Sequence, residues 1–171
     1  MAQDIDESTR LGELPATYVE RLAREKATQA MTNSEVNTVV LAADTTVVVD
    51  GKILAKPENE NEGLEMLKLL SGREHKVLTG IAVGDGSRLV SEVVETKVRF
   101  RVISQDQMNR YWHTGEPLGK AGAYGIQGFA AAFVEHLSGS YSNVVGLPLF
   151  EVAELLQSFG VVIWNMPGES P

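Results

Sequence analysis

From Pro15 onward the apolar positions keep helical time. In PATYVERLAREKATQAM, Tyr18, Leu22, Lys26 and Ala30 follow at i+4 steps, with Val19, Ala23 and Ala27 beside them and Glu20, Arg21, Arg24 and Glu25 on the outer face. Proline suits the first helical turn, so a helix is expected from Pro15. Lys26 falls on the apolar stripe. Its ammonium either snorkels out along its methylene stem or points along the packed face to meet an anion in a cleft.

A different pattern follows the polar loop Asn33 to Asn37. Thr38 to Ala43 is a short β-branched and apolar run that reads as a buried strand ending on Asp44. Thr45 and Thr46 interrupt the run before Val47 to Val49 resumes it. Asp50-Gly51 is a hairpin turn that sends Lys52 to Ala55 back, with Lys56-Pro57 closing the unit. An acid at the end of a buried strand sits on the rim where α/β folds place ligands, which makes Asp44 the first catalytic candidate. The structural alternative is a turn former or helix cap.

Further along, Asn59 and Glu62 form a capping-box pattern before GLEMLKLL, with Gly72 at the helix end. Lys76 to Val83 and Leu89 to Ile103 read as strands joined through Gly84-Asp85-Gly86, the longer arm bending. Ser104 and Gln107 cap a helix that runs to His113 and stops at Thr114-Gly115. Tyr111 and Trp112 read as packing residues. Glu116 to Gly128, EPLGKAGAYGIQG, is a glycine-rich loop whose backbone can approach a ligand closely, although such loops are often only loops. Phe129 to Leu137 reads as a strand, Ser138 to Gly146 as a turn-rich connection, and Pro148 opens a last helix ending at Gly160. Met1 to Gly12 is read as a polar loop and residues 165–171 as a disordered tail.

Composition narrows the chemistry. The 171 residues suit one domain, expected over residues 1–164, and no apolar run is long enough to span a bilayer. The absence of cysteine excludes disulfides, zinc-thiolate sites and thiol catalysis. A net charge of −8 disfavours broad binding to nucleic acid or acidic membranes, so an anionic ligand needs a local cluster of lysines or a metal ion. His75, His113 and His136 share no metal-ligand spacing. With no secretory signal at the start, the cytoplasm is the expected compartment.

Six separated motifs then occur in one order: DIDE at Asp4 to Glu7, YVERLAREKA at Tyr18 to Ala27, LAADTTVVVDGKILAKP at Leu41 to Pro57, LSGREHKVLTG at Leu70 to Gly80, KAGAYGIQG at Lys120 to Gly128, and NVVGLPL at Asn143 to Leu149. Together they resemble the Maf family of nucleoside triphosphate pyrophosphatases over nearly the full length. The resemblance implies an elongated α/β body, with a mixed sheet flanked by helices and two lobes around a central cleft. It also implies a homodimer in many members and hydrolysis of a nucleoside triphosphate to the monophosphate and pyrophosphate, assisted by Mg2+ or Mn2+.

On matching positions, Asp44 resembles the family's proton acceptor, Glu7 its second acid, and Lys26 and Lys56 its phosphate-contacting lysines; Asp44 and Glu7 are the implied metal ligands. Thr45 and Gln127 resemble the branch that takes dTTP and UTP, where the 7-methyl-GTP branch has Gln and Glu. The S-x-S-P-R-R segment common near the start of family members has no counterpart before Asp4. The resemblance therefore leaves two further readings, a catalytically impaired nucleotide-binding protein acting on cell division and a 7-methyl-GTP pyrophosphatase.

Overall fold

A computed structural model describes residues 5–35 and 38–164. Asp4 of the DIDE motif, Asn37 of the polar loop and the 165–171 tail lie outside the described residues. Five strands form one sheet in the order β2-β1-β3-β4-β5, built from β1 (Val40–Val49), β2 (Lys52–Leu54), β3 (Glu74–Gly84), β4 (Leu89–Phe100) and β5 (Val134–Ser138). Each of the four described pairings is antiparallel, so the expected α/β body is present with an antiparallel sheet among the described residues.

The long β1 departs from the sequence reading. Asp44 does not end a strand; it lies inside one. Thr45 and Thr46 are β-branched and continue the pleat instead of interrupting it. The neighbouring strand matches them residue by residue, Asp44 opposite Gly80 and Thr45 opposite Thr79. At the far end, Asp50 and Gly51 both take left-handed backbone angles and close the expected hairpin. β2 pairs only with Val47 to Val49, so among the described residues the same side of β1 from Val40 to Thr46 carries no strand.

Successive side chains on a strand face opposite ways, and here the two faces meet different layers. Val40 and Val48 pack with α1 (Pro15–Thr32), through Tyr18, Val19, Leu22, Ala23 and Ala27. Val47 and Val49 point into the larger core, built around Leu67, Leu70, Val77, Val98, Phe100, Tyr111 and Phe133. Helices α2 (Glu60–Leu70) and α3 (Gln105–Trp112) supply part of that core, and both start as expected, on the Asn59 cap and on a full Ser104/Gln107 capping box.

Three boundaries differ from the sequence reading. β4 ends at Phe100, not Ile103: the Arg101 amide turns to the Phe133 carbonyl and the Ile103 amide to the Ser71 hydroxyl. Phe129–Phe133 is a 3-10 turn rather than strand, because Glu116 takes the Phe129 and Ala130 amides out of any ladder. The turn-rich connection contains a short helix, α4 (Tyr141–Val145), capped by Ser140, before α5 (Leu149–Ser158). Among the described residues no helix is long and apolar enough to cross a membrane.

Candidate active site

The N-terminal segment is strapped to α1 by polar groups. The Tyr18 hydroxyl donates to the Glu7 carbonyl at 2.9 Å, and Arg21 donates to the Ser8 carbonyl at 3.0 Å while forming a largely buried ion pair with Glu13. These bonds hold the segment that brings the Glu7 side chain to the Lys26 ammonium beside Asp44. Lys26, on the buried stripe of α1, stands between the two acids. Its Nζ lies 2.6 Å from Asp44 Oδ1 and 2.7 Å from Glu7 Oε1. Of its two sequence readings, the ammonium that meets an anion is the nearer, although Lys26 meets carboxylates of the protein and does not itself line a cleft. Lys56 follows β2 and approaches Glu7 Oε2 at 3.5 Å.

The electrostatics follow from depth. Burial pushes the Asp44 carboxyl above its ordinary value, and the Lys26 ammonium opposes this without cancelling it. Glu7 is more open, and the hydrogen bond from Lys26 holds it below the ordinary range. For Lys26, burial works downward, but the two carboxylates outweigh it and raise the ammonium above the usual lysine value. The result is a charged lysine beside one carboxylate that is more acidic than usual and one that is more basic.

A cleft of about 300 Å³ opens beside this cluster, lined by Asp44, Thr45, Lys56, Lys120, Gln127 and Gly146 among others. Lys26 and Glu7 do not line it; they stand behind Asp44 on the α1 side. Asp44 and Thr45 are neighbours on one strand and face opposite ways, so the cleft reaches both because this side of β1 carries no other described strand. Gln127 is exposed, and its amide makes no hydrogen bond among the described residues.

The glycine-rich loop closes onto β1 at Gly122. There the backbone has φ +67, and a β-carbon would sit 2.9 Å from the Val47 side chain, so only glycine permits the approach. Glu116 organises the rest of the loop. Its carboxylate accepts from the Tyr111 hydroxyl at 2.7 Å, the Phe129 amide at 2.6 Å and the Ala130 amide at 3.1 Å.

All six residues singled out from the sequence are thus near one another: Lys26 bridges Asp44 and Glu7, Lys56 joins them, and Thr45 and Gln127 share the adjoining cleft. The sequence reading noted Lys120 only as part of the glycine-rich loop and gave it no role; its Nζ donates to the Glu116 carbonyl at 2.7 Å, and Thr79, not singled out, has its hydroxyl 2.8 Å from that of Thr45. Their signals were the KAGAYGIQG and VLTG runs, each of which reads equally well as loop or strand. Among the described residues no three His, Asp or Glu side chains form a ready-made metal cage. Asp44 and Glu7 do offer hard oxygen donors of the kind that hold Mg2+ together with substrate phosphates and water.

The sequence model of the family described as Maf-like protein matches residues 1–159. The chain is 50% identical over 166 residues to a Hahella chejuensis protein named dTTP/UTP pyrophosphatase, covering 95% of this chain and 82% of the relative. A protein of the same name from Acinetobacter baylyi is 49% identical over 156 residues, covering 91% of this chain and 85% of the relative. Another, from Bordetella parapertussis, is 50% identical over 162 residues, 92% of this chain and 78% of the relative. With the carboxylate–lysine cluster, the cleft and these similarities together, the chain belongs to the Maf family.

Proposed function

We propose that this protein is a nucleoside triphosphate pyrophosphatase that hydrolyses dTTP and UTP to the nucleoside monophosphate and pyrophosphate. The observation that carries the reading is the Lys26 ammonium held between Asp44 and Glu7, beside a cleft that also presents Lys56, Thr45 and Gln127. The half-identical relatives bearing that activity in their names support the choice of substrates.

The chemistry required is attack of water on the α-phosphorus. A new P–O bond forms to the water oxygen, the bond to the oxygen bridging the α- and β-phosphorus breaks, and pyrophosphate leaves. Asp44 is the proton acceptor for that water: Oδ1 is held by Lys26, while Oδ2 makes no hydrogen bond among the described residues. Its raised pKa makes it a better base than an ordinary aspartate. Lys26 and Lys56 offset charge on the triphosphate, and Glu7 fixes Lys26. A divalent cation, Mg2+ or Mn2+, would be held by Asp44 and Glu7 and would supply charge neutralisation at the phosphate oxygens. Thr45 and Gln127 read the base; a neutral amide pairs with uracil or thymine, where a carboxylate would repel their carbonyls.

Pyrophosphate release from dTTP, UTP and 7-methyl-GTP, measured with and without Mg2+ or Mn2+, tests the reading. Release from dTTP and UTP that disappears in Asp44→Asn supports it. Orthophosphate as the first product, or preference for 7-methyl-GTP, overturns it.

A further inference from the structure

The hydroxyl of Thr79 is fully buried and has one proton to give. It contacts two oxygens, the backbone carbonyl of Asn143 at 3.1 Å and the Thr45 hydroxyl at 2.8 Å. A carbonyl oxygen only accepts, so the bond to Asn143 consumes the Thr79 proton. The short contact to Thr45 then exists only if Thr45 is its donor. The Gly146 carbonyl, 3.5 Å from the Thr45 oxygen, is too distant to hold that proton in its place. With Thr79 committed to Asn143, the Thr45 proton is spent inside the protein, and the oxygen that borders the cleft has only lone pairs to offer.

The framework behind this arrangement is a buried hydrogen-bond network. Asn143 is itself fully buried on α4, and its amide nitrogen donates to the Val77 carbonyl at 3.1 Å and the Thr96 hydroxyl at 3.0 Å. The Thr96 hydroxyl donates in turn to the Ser140 carbonyl and accepts from the Ser140 amide. These bonds pin α4 to β3 and β4, fixing the Asn143 carbonyl over Thr79 and setting Gly146 against the cleft.

We infer that Thr79 is a positioning residue for specificity: it makes Thr45 an obligatory hydrogen-bond acceptor, so that the cleft favours bases whose ring nitrogen carries a hydrogen. Uracil and thymine present that N–H at the imide position, whereas cytosine and adenine present a lone pair at the corresponding edge. A lone pair facing a lone pair is repelled, and the cytosine ring leaves the Thr45 oxygen unpaired. This inference rests on the proposed pyrophosphatase activity and adds to it the donor–acceptor sense of the base contact.

The test is the ratio of kcat/KM for UTP over CTP, read by pyrophosphate release, with melting temperature measured beside it. Thr79→Val keeps the β-branched shape but removes the acceptor and frees the Thr45 proton to turn outward. The ratio is expected to fall about tenfold or more, whereas Thr79→Ser, which keeps the hydroxyl, retains the wild-type ratio even if its melting temperature drops. In a Thr45→Val background, Thr79→Val is expected to cause no further change in the ratio, since the effect passes through Thr45. Should the valine protein not fold, Thr79→Cys, a weak donor and acceptor of similar size, is expected to give the same fall.

An unchanged ratio in Thr79→Val, or a full additional fall in the Thr45→Val background, overturns the inference. Wild-type protein that releases no pyrophosphate from UTP or dTTP overturns the proposed function, and this inference with it. Normal release with a ratio that ignores Thr79 overturns the inference alone.

Discussion

The backbone oxygen of Val19 occupies the place that a β-carbon on Gly80 would need, 2.3 Å away. Gly80 pairs with Asp44 across the β1–β3 ladder, so α1 presses tightly against the sheet level with the acid. Seven residues later on the same helix, Lys26 reaches that acid. Gly80→Ala is expected to lift α1, lengthen the Lys26–Asp44 contact and reduce kcat/KM well beyond its effect on stability. Overpacking of this kind typically costs ~1–3 kcal/mol. Urea unfolding and pyrophosphate release on the same preparation check both parts; unchanged turnover would mean that α1 tolerates the displacement.

Asp44 must be ionised to accept a proton, and its pKa is raised by burial above the ordinary 3.8. The acid limb of kcat/KM is therefore expected above pH 3.8, with activity present at higher pH and lost as pH falls through the raised value. Glu7 shifts the other way, held below its ordinary 4.5 by the hydrogen bond from Lys26. A limb at or below the ordinary aspartate value would remove Asp44 from the role of base.

His75 is buried beneath the glycine-rich loop, its Nε2 2.8 Å from the Tyr124 hydroxyl. Burial lowers its pKa to about 4 from the ordinary 6.5. The folded protein keeps the ring neutral while the unfolded chain takes up a proton below 6.5, so this contribution to stability is complete above pH 6.5 and is lost as pH falls toward 4. The loss is expected to approach, at its steepest, about 1.4 kcal/mol per pH unit. His75→Gln lowers overall stability but flattens that slope. Denaturant midpoints at several pH values between those limits decide the matter, and equal slopes in the two proteins would contradict it.

Glu116 accepts three hydrogen bonds that hold the glycine-rich loop to α3 and to the turn after it. Glu116→Ala leaves the Tyr111 hydroxyl, a mostly buried group, without that partner. A loss of roughly 2–3 kcal/mol is expected, together with a higher KM, because Gln127 and Lys120 are carried by the same loop. Tryptic cleavage after Lys120 should also accelerate; protection equal to wild type would show that the loop is held by other contacts.

Much of this architecture was legible from local patterns. The α1 stripe, the Asn59 and Ser104 caps and the Asp50-Gly51 hairpin each depend on residues close in sequence, and each appears where expected. Two misreadings share a cause: the deciding partner lies far away. Asp44 looked like the end of a strand because a carboxylate breaks an apolar run, yet its pairing with Gly80 and the Lys26 ammonium let it sit inside one. Phe129 to Phe133 looked like strand until Glu116, thirteen residues before Phe129, claimed its amide. The turn of Lys26 inward to an anion is one of two options that the helical pattern leaves, with no partner specified. Choosing between them required knowing which helix face meets which strand. Thr79 gave no cue beyond its place in the VLTG run, since a threonine in a strand is ordinary until its proton is traced.

The open flank of β1 has one more consequence. Acid and hydroxyl occupy consecutive positions on a single pleated ribbon, so the two residues proposed for cutting and for reading have backbone positions one residue rise apart, about 3.3 Å. No hinge separates the two tasks. A molecule that engages both must saddle the ribbon, its two ends falling on either side, and a slip of the ladder by one place would exchange the tools rather than merely blunt them.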